Sequence, residues 1–342
     1  MASESPLPTV SVVMPHFNHG RYLDTALPAM LHQTVPPLEI ILIDDCSTDG
    51  SLVVLEKFAR TYPSIRLIRN TRNQGVNANC NLGLDLARGD YVHFGAADDE
   101  IYPGLYEHSL KLLQQHPHAA LCCTIGDWHE LTTGFNWHVG VGMADASSYL
   151  SPVRMVELER ANNLFIASHT ALVRRQAALE VGKFIPELKW HADWFMLHTA
   201  GFRYGICYIP EALARFNIFP SSYYKSGRQD EAAHRMVLTR ILDLLRKPEF
   251  EKEGALLGEA GSLFLFGWPI LKLMLSHREY RKFITPTFMR KSLWHSAKLQ
   301  AKKVTPRYLA NWYFRLAGYR APKRSLVSVS ATQPRIDVDQ HK

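Results

Sequence analysis

Residues 39–50, Glu39-Ile40-Ile41-Leu42-Ile43-Asp44-Asp45-Cys46-Ser47-Thr48-Asp49-Gly50, join a short apolar run to a polar turn. The run is Ile and Leu throughout, with no polar residue between Glu39 and Asp44. A strand that is apolar at every position, and not only at every second one, is typical of a parallel sheet covered by helices on both faces. We therefore predict a buried strand at Glu39 to Ile43 and a helix at Ser51 to Ala59.

Strands and helices alternate along the chain on both sides of this run. The predicted strands are Val10 to Met14, Ile65 to Arg69, Tyr91 to Phe94 and Ala119 to Thr124, and the predicted helices are Tyr22 to Leu31, Asn77 to Ala87 and Leu105 to Gln115. This alternation indicates βαβ units, which build a mostly parallel sheet through right-handed crossovers. The less periodic stretch Gly126 to Ser148 is predicted to leave the sheet.

The C-terminal third differs from the rest in pattern. Helical periodicity dominates after Glu231, beyond a linker-like run at Ser221 to Gly227. We predict an α/β protein with a Rossmann-like, mostly parallel sheet flanked by helices and a helical C-terminal appendage. Its regions are an α/β domain over residues 1–228, a basic helical region over residues 229–326 and a loose tail over residues 327–342.

Composition favours a packed, non-spanning protein. The 342 residues are 46% hydrophobic and 11% aromatic, which is unlike a disordered chain. Met1 to Pro8 have neither a basic start nor an apolar run, so no leader is expected. The longest apolar stretch, Leu263 to Leu275, is short for a membrane span and contains Lys272. The expected location is the cytoplasm, free or peripheral at the inner face of a membrane. The five cysteines lack metal-ligand spacing and are interpreted as reduced core thiols.

Carboxylates gather directly after two predicted strands. They are Asp44, Asp45 and Asp49 after the second strand, and Asp98, Asp99 and Glu100 after the fourth. Ligands of open α/β sheets bind beyond the carboxyl ends of the strands. A hard divalent ion held by one or two carboxylates and by ligand phosphates suits Asp98 and Asp99, because adjacent carboxylates otherwise repel each other. Asp is also common in caps and turns; we assign that role to Asp49 and functional roles to Asp45 and Asp98.

Five motifs follow one another over about residues 9–220. They are Val10-Ser11-Val12-Val13-Met14-Pro15-His16-Phe17-Asn18, the run Ile43 to Asp49, Asn73-Gln74-Gly75 with Asn81-Leu82-Gly83, Gly89-Asp90-Tyr91 with Asp98-Asp99, and Trp190-His191-Ala192-Asp193-Trp194 with Tyr208-Ile209-Pro210. In order and spacing they resemble the inverting family 2 glycosyltransferases of GT-A fold. The resemblance implies that residues 1–228 form a GT-A domain that binds a nucleotide-sugar.

The resemblance also implies an activity and roles for individual residues. One sugar would pass with inversion from a UDP- or dTDP-sugar to a hydroxyl of a glycan or lipid-linked acceptor, in cell-surface polysaccharide synthesis, with Mn²⁺ or Mg²⁺ as cofactor. Asp193 matches the general base that removes the acceptor proton. The implied metal ligands are Asp98 and Asp99, the nucleotide-binding residues are Pro15, Phe17, Asn18, Asp44, Asp45, Asn73 and Gly75, and the acceptor-side residues are Trp190, His191 and Trp194.

The chain departs from the family pattern at three positions. Ala96 stands where the first Asp of the metal motif is usual, Ala192 replaces the Glu before the base, and Cys80 stands where many members have Arg. These changes leave open a non-catalytic alternative, a nucleotide-sugar-binding subunit or scaffold of a glycan assembly complex. A nucleotidyltransferase is disfavoured, because Pro15 to Arg21 is a poor version of its phosphate loop.

Positive charge is concentrated near the C-terminus. Lys272 to Ser325 contains 14 Lys or Arg and one acid, Glu279, although the whole chain has a formal charge of only +7. Interleaved aromatic residues, among them Trp294 and Trp312, make the region similar to a surface that lies on anionic lipid. A helical subdomain with a solvated basic face is the alternative. No nucleic-acid-binding motif is present, and neither is the Gln-x-x-Arg-Trp motif of processive family members, so we expect no nucleic-acid partner and non-processive transfer.

Overall fold

The computed structural model describes residues 6–219, residue 227 and residues 229–294. Most of the predicted linker at Ser221 to Gly227 lies outside the described residues, as do residues 295–326 of the basic region and the predicted tail. Trp312 is therefore not placed.

Ten strands and ten helices make up most of the described chain. The strands are β1 (Val10–His16), β2 (Glu39–Asp44), β3 (Ile65–Arg69), β4 (Tyr91–Phe94), β5 (Glu100–Ile101), β6 (Leu121–Glu130), β7 (Phe135–Val139), β8 (Ser148–Leu150), β9 (Leu172–Arg174) and β10 (Ile206–Ile218). The helices are α1 (Leu23–Leu31), α2 (Ser51–Thr61), α3 (Val76–Leu86), α4 (Leu105–Gln115), α5 (Pro152–Arg160), α6 (Arg175–Glu180), α7 (Ala192–Tyr204), α8 (Glu231–Leu244), α9 (Glu251–Ala260) and α10 (Gly267–Ser276). Residues 286–294 are also helical.

All ten strands belong to one sheet. Eight of them follow the order β3-β2-β1-β4-β9-β6-β10-β5, and outside this path β7 pairs with β6 and β8 pairs with β10. The half formed by β3, β2, β1 and β4 is entirely parallel, as the buried Ile and Leu of β2 predicted. Beyond β4 the sheet is mixed, because β9 is antiparallel to both β4 and β6 while β10 is parallel to β6. The predicted α/β fold with a helical C-terminal region is confirmed.

The segment Gly126 to Ser148 does not leave the sheet, and this prediction was wrong. Strand β6 continues to Glu130, β7 pairs with β6, and β8 pairs with β10. Local sequence could not show this, because β6 is held along this part by β10, which lies some 80 residues later in the chain. The pairing of Asp127 with Arg215 and of Trp128 with Phe216 follows from that register.

Two hydrophobic cores cover the two faces of the sheet. One lies under α1, α2 and α4, with Leu27, Leu55 and Leu110 fully buried. The other lies under α3, α5 and α7 and continues without interruption into α8, α9 and α10. Glycine at 83 allows α3 to approach β1, because a Cβ there would lie 2.2 Å from Val13 Cγ1. The helices after residue 229 therefore pack directly on the sheet domain.

The apolar helices and the cysteines of the described part of the chain bear on membrane crossing and on disulfide bonding. No single helix there has both the length and the apolarity of a membrane span; the segments Pro248–Ala260 and Ser262–Ser276 meet the criteria only as a pair, and they meet at a 72° bend. All five cysteines are free thiols. Four are buried as predicted, whereas Cys46 is partly exposed.

Candidate active site

The carboxyl ends of the parallel strands bring the first set of predicted residues together. His16, the last residue of β1, is opposite Asp44 of β2 in the parallel register. The loops that follow are tied to each other through Asn18, whose side-chain oxygen accepts from the Thr48 N–H at 2.7 Å and whose own N–H donates to Ser47 Oγ at 3.1 Å. Asn18 has a φ of 55°, a left-handed conformation that Asn tolerates better than most residues. Phe17 beside it is 45% exposed.

Asp45 organises the loop that contains Asn73 and Gly75. Its carboxylate is buried and accepts from Asn70 Nδ2, from the Gln74 N–H and from the Gly75 N–H, each at 2.8 Å. Burial alone would raise the pKa of Asp45, but these hydrogen bonds outweigh it and lower the pKa. Asp45 is therefore an ionised carboxylate that holds the loop in place. Its predicted contact with a nucleoside base stays a prediction.

Asp98 lies at the end of β4, on the side of His16. His16 is 2% exposed, and burial lowers its pKa, while the nearby carboxylates of Asp44 and Asp98 act in the opposite direction. The Asp98 side chain is 23% exposed, and one of its oxygens lies 4.0 Å from His19 Nδ1. Thus Asp44 and Asp98, 54 positions apart in the sequence, both face the same imidazole.

Asp99 points to β10 and is held there by the backbone. Its carboxylate accepts from the Asn217 N–H at 3.2 Å, and Asn217 Nδ2 donates to the Asp98 carbonyl at 2.7 Å. Burial and the neighbouring charge of Asp98 raise the pKa of Asp99 well above its usual range. Within the described residues no group of three or more His, Cys, Asp and Glu side chains is arranged to hold a metal ion. The protein side chains therefore do not form a complete metal cage here.

Asp193 lies in the first turn of α7, where the helix dipole favours a negative charge. One carboxylate oxygen accepts from the Trp194 N–H at 2.7 Å, and the exposed Ser168 hydroxyl also donates to the carboxylate. Burial nevertheless dominates and raises the pKa of Asp193. A carboxylate with a raised pKa and a neighbouring hydroxyl has the properties of a general base.

Helix α3 connects Asp193 with the loop of Asp45. Asn79 in this helix accepts from Asn70 Nδ2 at 2.7 Å, and Asn70 Nδ2 also donates to Asp45. Burial raises the pKa of the thiol of the next residue, Cys80, and the nearby carboxylate of Asp193 raises it further. Asn77 of the same helix donates to the Lys189 carbonyl at 2.9 Å, which fixes the segment before α7. The parallel register of β1 with β2 and β4, together with the bond from Asn77 to Lys189, brings the segments that contain Asp45, Asp98 and Asp193 to the carboxyl edge of the sheet.

The three predicted acceptor-side aromatic residues pack on the C-terminal helices. Trp190 is 9% exposed and stacks on His234 of α8 with ring centroids 6.2 Å apart. His191 is 3% exposed, and its ring lies 4.8 Å from that of Phe266. Trp194, which is partly buried, lies 4.9 Å from the same Phe266 ring. These contacts give all three residues a packing role beside Asp193, while their contact with an acceptor stays a prediction.

A charged cluster beside Asp99 was missed by the sequence analysis. Asp127 is 5% exposed and accepts from Tyr102 Oη at 3.0 Å and from Arg215 Nε and Nη2 at 3.1 and 3.0 Å. Arg215 also lies 3.9 Å from Glu100. The partners of this cluster come from three strand regions far apart in the sequence, so no local motif announces it. It braces β10 next to Asn217, which holds Asp99.

The model of the family described as "Glycosyl transferase family 2" matches residues 11–182, which include β1 to α6 and the carboxylates of Asp45 and Asp98. The chain belongs to this family. The resemblance seen in the motifs is thereby confirmed, although the match ends before Asp193.

Relatives agree with this membership, and solved structures share the fold. The chain is 36% identical over 128 residues to the uncharacterized glycosyltransferase YibD of Escherichia coli (strain K12), a region that spans only 37% of each chain. It is 25% identical over 238 residues to TuaG of Bacillus subtilis (strain 168), which is named for teichuronic acid biosynthesis, covering 67% of this chain and 88% of TuaG. The S. aureus TarS 1–349 structure with UDP-GlcNAc superposes with a TM-score of 0.58 at 17% identity, covering 81% of this chain and 79% of that one. TarS thus shares the GT-A-like fold.

Proposed function

We propose that this protein transfers a single sugar from a UDP-sugar, or a dTDP-sugar, to a hydroxyl of a glycan or lipid-linked acceptor in cell-surface polysaccharide synthesis. The observation that carries the proposal is that the segments containing Asp45, Asp98 and Asp193 lie at the same carboxyl edge of the sheet. Family membership, a relative named for teichuronic acid biosynthesis and a TarS structure solved with UDP support it.

In this reaction Asp193 removes the proton of the acceptor hydroxyl while that oxygen attacks the anomeric carbon. The sugar–phosphate bond breaks on the opposite face, so the displacement inverts the anomeric configuration and releases the nucleoside diphosphate. Ser168 orients the carboxylate of Asp193 through its hydrogen bond. The raised pKa of Asp193 increases its strength as a base, because a base accepts a proton more readily when its conjugate acid is weaker.

A divalent cation, Mn²⁺ or Mg²⁺, fits this site only as an ion shared with the donor. Such hard cations are commonly held by one or two carboxylates and completed by substrate phosphates and water. Asp98 provides one partly exposed carboxylate. Asp99 is the next residue in the sequence, whereas the side chain of Ala96 has no atom that can bind a metal ion. When bound, the cation would neutralise charge on the departing diphosphate. Asp98 is thus the residue that would hold the cation in the Michaelis complex.

Donor binding is expected to depend on Asp98 and on the cation together. A thermal-shift screen of nucleotides and nucleotide-sugars with Mn²⁺ or Mg²⁺ should raise the melting temperature most with UDP or a UDP-sugar, since ligand at about 100 times its Kd stabilises the native state by about 2.7 kcal/mol. Asp98→Ala should weaken metal-dependent UDP binding by about tenfold or more, equivalent to about 1.4 kcal/mol. Calorimetry with UDP measures this, and Asp24→Asn, which changes an exposed acid in α1, is the control.

The same experiment separates the catalytic proposal from its alternative. Absence of binding to every nucleotide would contradict the proposed function. Binding of UDP without turnover of any UDP-sugar, either to an acceptor or to water, would favour the nucleotide-sugar-binding subunit. Equal UDP binding with and without the cation would contradict the role of Asp98.

We further propose that the protein works from the cytoplasm at the anionic inner face of a membrane, attached through its C-terminal helices. Trp268 and Leu275 are 61% and 50% exposed, and with the exposed Lys272 they recur at helical spacing on one outer stripe of α10. Leu265, which is 47% exposed, lies just before this helix. The Lys272 ammonium lies 5.9 Å from the Trp268 ring. Exposed apolar residues beside cations are typical of helices that lie in a lipid interface.

Trp268→Ala is expected to weaken binding to vesicles of phosphatidylglycerol. An indole that enters the interface contributes about 2 kcal/mol, and loss of it should reduce vesicle partitioning by about tenfold or more. Vesicle co-sedimentation of wild type and variant measures the change, with phosphatidylcholine vesicles testing the need for negative charge. Met236→Ala is the control, because Met236 of α8 is 71% exposed but lies outside the stripe. Unchanged sedimentation of Trp268→Ala would contradict attachment through this stripe.

A further inference from the structure

The β6–β7 hairpin has one face made of aromatic rings. The rings of Trp128 and Trp137 are cross-strand neighbours with centroids 5.5 Å apart. Phe135 lies 5.6 Å from Trp137 at the outer end, and Phe216 of β10 lies 5.7 Å from Trp128 at the inner end. Phe165 lies 5.8 Å from Trp128. We call these five residues the aromatic face.

Part of the aromatic face is open, and it contains a polar atom without a partner. Phe135 is 56% exposed and Phe165 is 38% exposed, although side chains of this size usually avoid water. The Trp128 Nε1–H is shielded from solvent and finds no acceptor among the described residues. A buried N–H without an acceptor costs free energy unless a ligand or water supplies one. Aromatic surface next to a hydrogen-bond donor therefore favours a ligand that is partly apolar and rich in acceptor oxygens.

The aromatic face leads to the proposed base. The ring of His169 lies 5.4 Å from that of Phe216. Burial lowers the pKa of His169 to about 3, so the ring next to the aromatic face is neutral. The residue before it, Ser168, donates to the Asp193 carboxylate. A continuous row of side chains thus connects the exposed Phe135 with the atom that would receive the acceptor proton.

The charge of the hairpin argues against a membrane as the occupant. Leu121 to Val139 contains no Lys or Arg, in contrast to the stripe around Trp268, where cations accompany the exposed apolar side chains. Asp127, His129, Asn136 and His138 alternate onto the other face, where Asp127 binds Arg215. Glu130, opposite Phe135, lies on the side of the aromatic face, and its negative charge would be repelled by anionic lipid. An aromatic platform without cations suits the apolar faces of sugar rings, whose hydroxyls can accept from an indole N–H.

We propose that the aromatic face is the acceptor subsite and that it binds the sugar rings of a saccharide acceptor, with Trp137 and Phe135 stacking on rings away from the reaction centre and Trp128 donating to a sugar oxygen. This inference rests on the proposed transferase function, because it assigns one side of the same site. It places the acceptor hydroxyl at Asp193 and the remainder of the saccharide along β7. The acceptor is then a glycan of at least two sugars, because a single sugar at Asp193 would not reach Phe135 at the far end.

The test uses ligand-observed saturation-transfer NMR on the full chain. The probes are methyl glycosides of glucose, galactose and N-acetylglucosamine, and the β-1,4-linked glucose tetramer. Wild type should transfer saturation to at least one probe, and most strongly to the sugar-ring protons. Trp137→Ala should weaken that binding by about five- to tenfold, the range expected when an aromatic anchor is truncated. Trp128→Phe, which keeps the ring stack but removes the N–H, should weaken it less.

Controls keep the two proposals separate. Trp268→Ala, which removes a more exposed tryptophan outside the hairpin, should keep the full glycoside signal. UDP binding measured on the same samples tests the transferase proposal independently, and Trp137→Ala should leave it unchanged.

Circular dichroism checks folding, and Phe135→Ala provides a second variant at an exposed position. Transfer to none of the probes, or undiminished transfer in both Trp137→Ala and Phe135→Ala, overturns the subsite even if UDP binds. The subsite would also be overturned if wild type bound phosphatidylcholine vesicles but no glycoside, and if Trp137→Ala lost the binding to vesicles.

Discussion

Replacement of Asp193 by Asn is expected to lower sugar transfer by about 10²- to 10⁴-fold, the usual contribution of a general base. The amide keeps the size and part of the hydrogen bonding of the carboxylate but cannot accept the acceptor proton. UDP affinity should stay within about twofold, because Asp193 lies on α7, apart from the loops of Asn18 and Gly75 that face the nucleotide in our proposal. The measurement is turnover of the UDP-sugar selected by the thermal-shift screen, with calorimetry of UDP on the same variant.

A matched control makes this result specific. Asp85→Asn removes a carboxylate of the same type from an exposed position, where it pairs with Lys183. It should leave turnover unchanged. Full transfer activity of Asp193→Asn would refute the assignment of the base, and loss of UDP binding would show that the variant had altered the donor side of the site instead.

The pH dependence provides a second check on the same residue. Asp193 acts as a base only when ionised, so turnover must rise with pH through its pKa and fall at lower pH. Because burial raises this pKa, the midpoint of the acidic limb should lie above the ordinary Asp value of 3.8. Ser168→Ala removes a hydrogen bond that lowers the pKa. This variant should therefore move the midpoint to still higher pH, a shift that a purely structural serine would not produce.

Lys291→Met is expected to lower the free energy of unfolding by about 3 kcal/mol, because it leaves a buried charge without its partner. Lys291 is 1% exposed, and its ammonium donates to the carboxylate and the carbonyl of Glu159 in α5. It also lies 4.1 Å from the centre of the Phe264 ring. The side chain thus fastens the helix at residues 286–294 to the sheet domain. Urea unfolding followed by circular dichroism measures the loss.

The double variant identifies the physical cause. Replacing Glu159 and Lys291 together by Met should recover most of the loss, since an apolar pair of similar volume is often as stable as a buried ion pair. Lys111→Met breaks an exposed pair with Glu107 in α4 and should cost less than about 1 kcal/mol. A loss in the double variant equal to that in Lys291→Met would contradict the ion-pair explanation and would point to packing of the long side chain.

Much of the donor half of the fold could be predicted because its information is local. Strands β1, β2 and β4 are buried on both faces, so each is a nearly continuous apolar run in the sequence. Because these strands are parallel, the carboxylates that follow them lie at the same edge of the sheet. Asp49 was expected to serve a turn, and it accepts from the N–H groups of Gly20 and Ser51.

The acceptor half depended on contacts between distant residues. Asp127 and Arg215 are 88 positions apart, and the register of β6 with β10 that brings them together also assembles the aromatic face from Trp128 and Phe216. Nothing in the Gly126 to Ser148 stretch encodes that register locally, because the pairing energy of a strand belongs to both partners. The sequence was therefore sufficient to predict the parallel strands and to identify the carboxylates that follow them. Only the tertiary structure decided the rest. Strand pairing assembled the open row of rings, and packing of the C-terminal helices buried Trp190 and His191, because burial is a property of what packs against a residue and not of the residue itself.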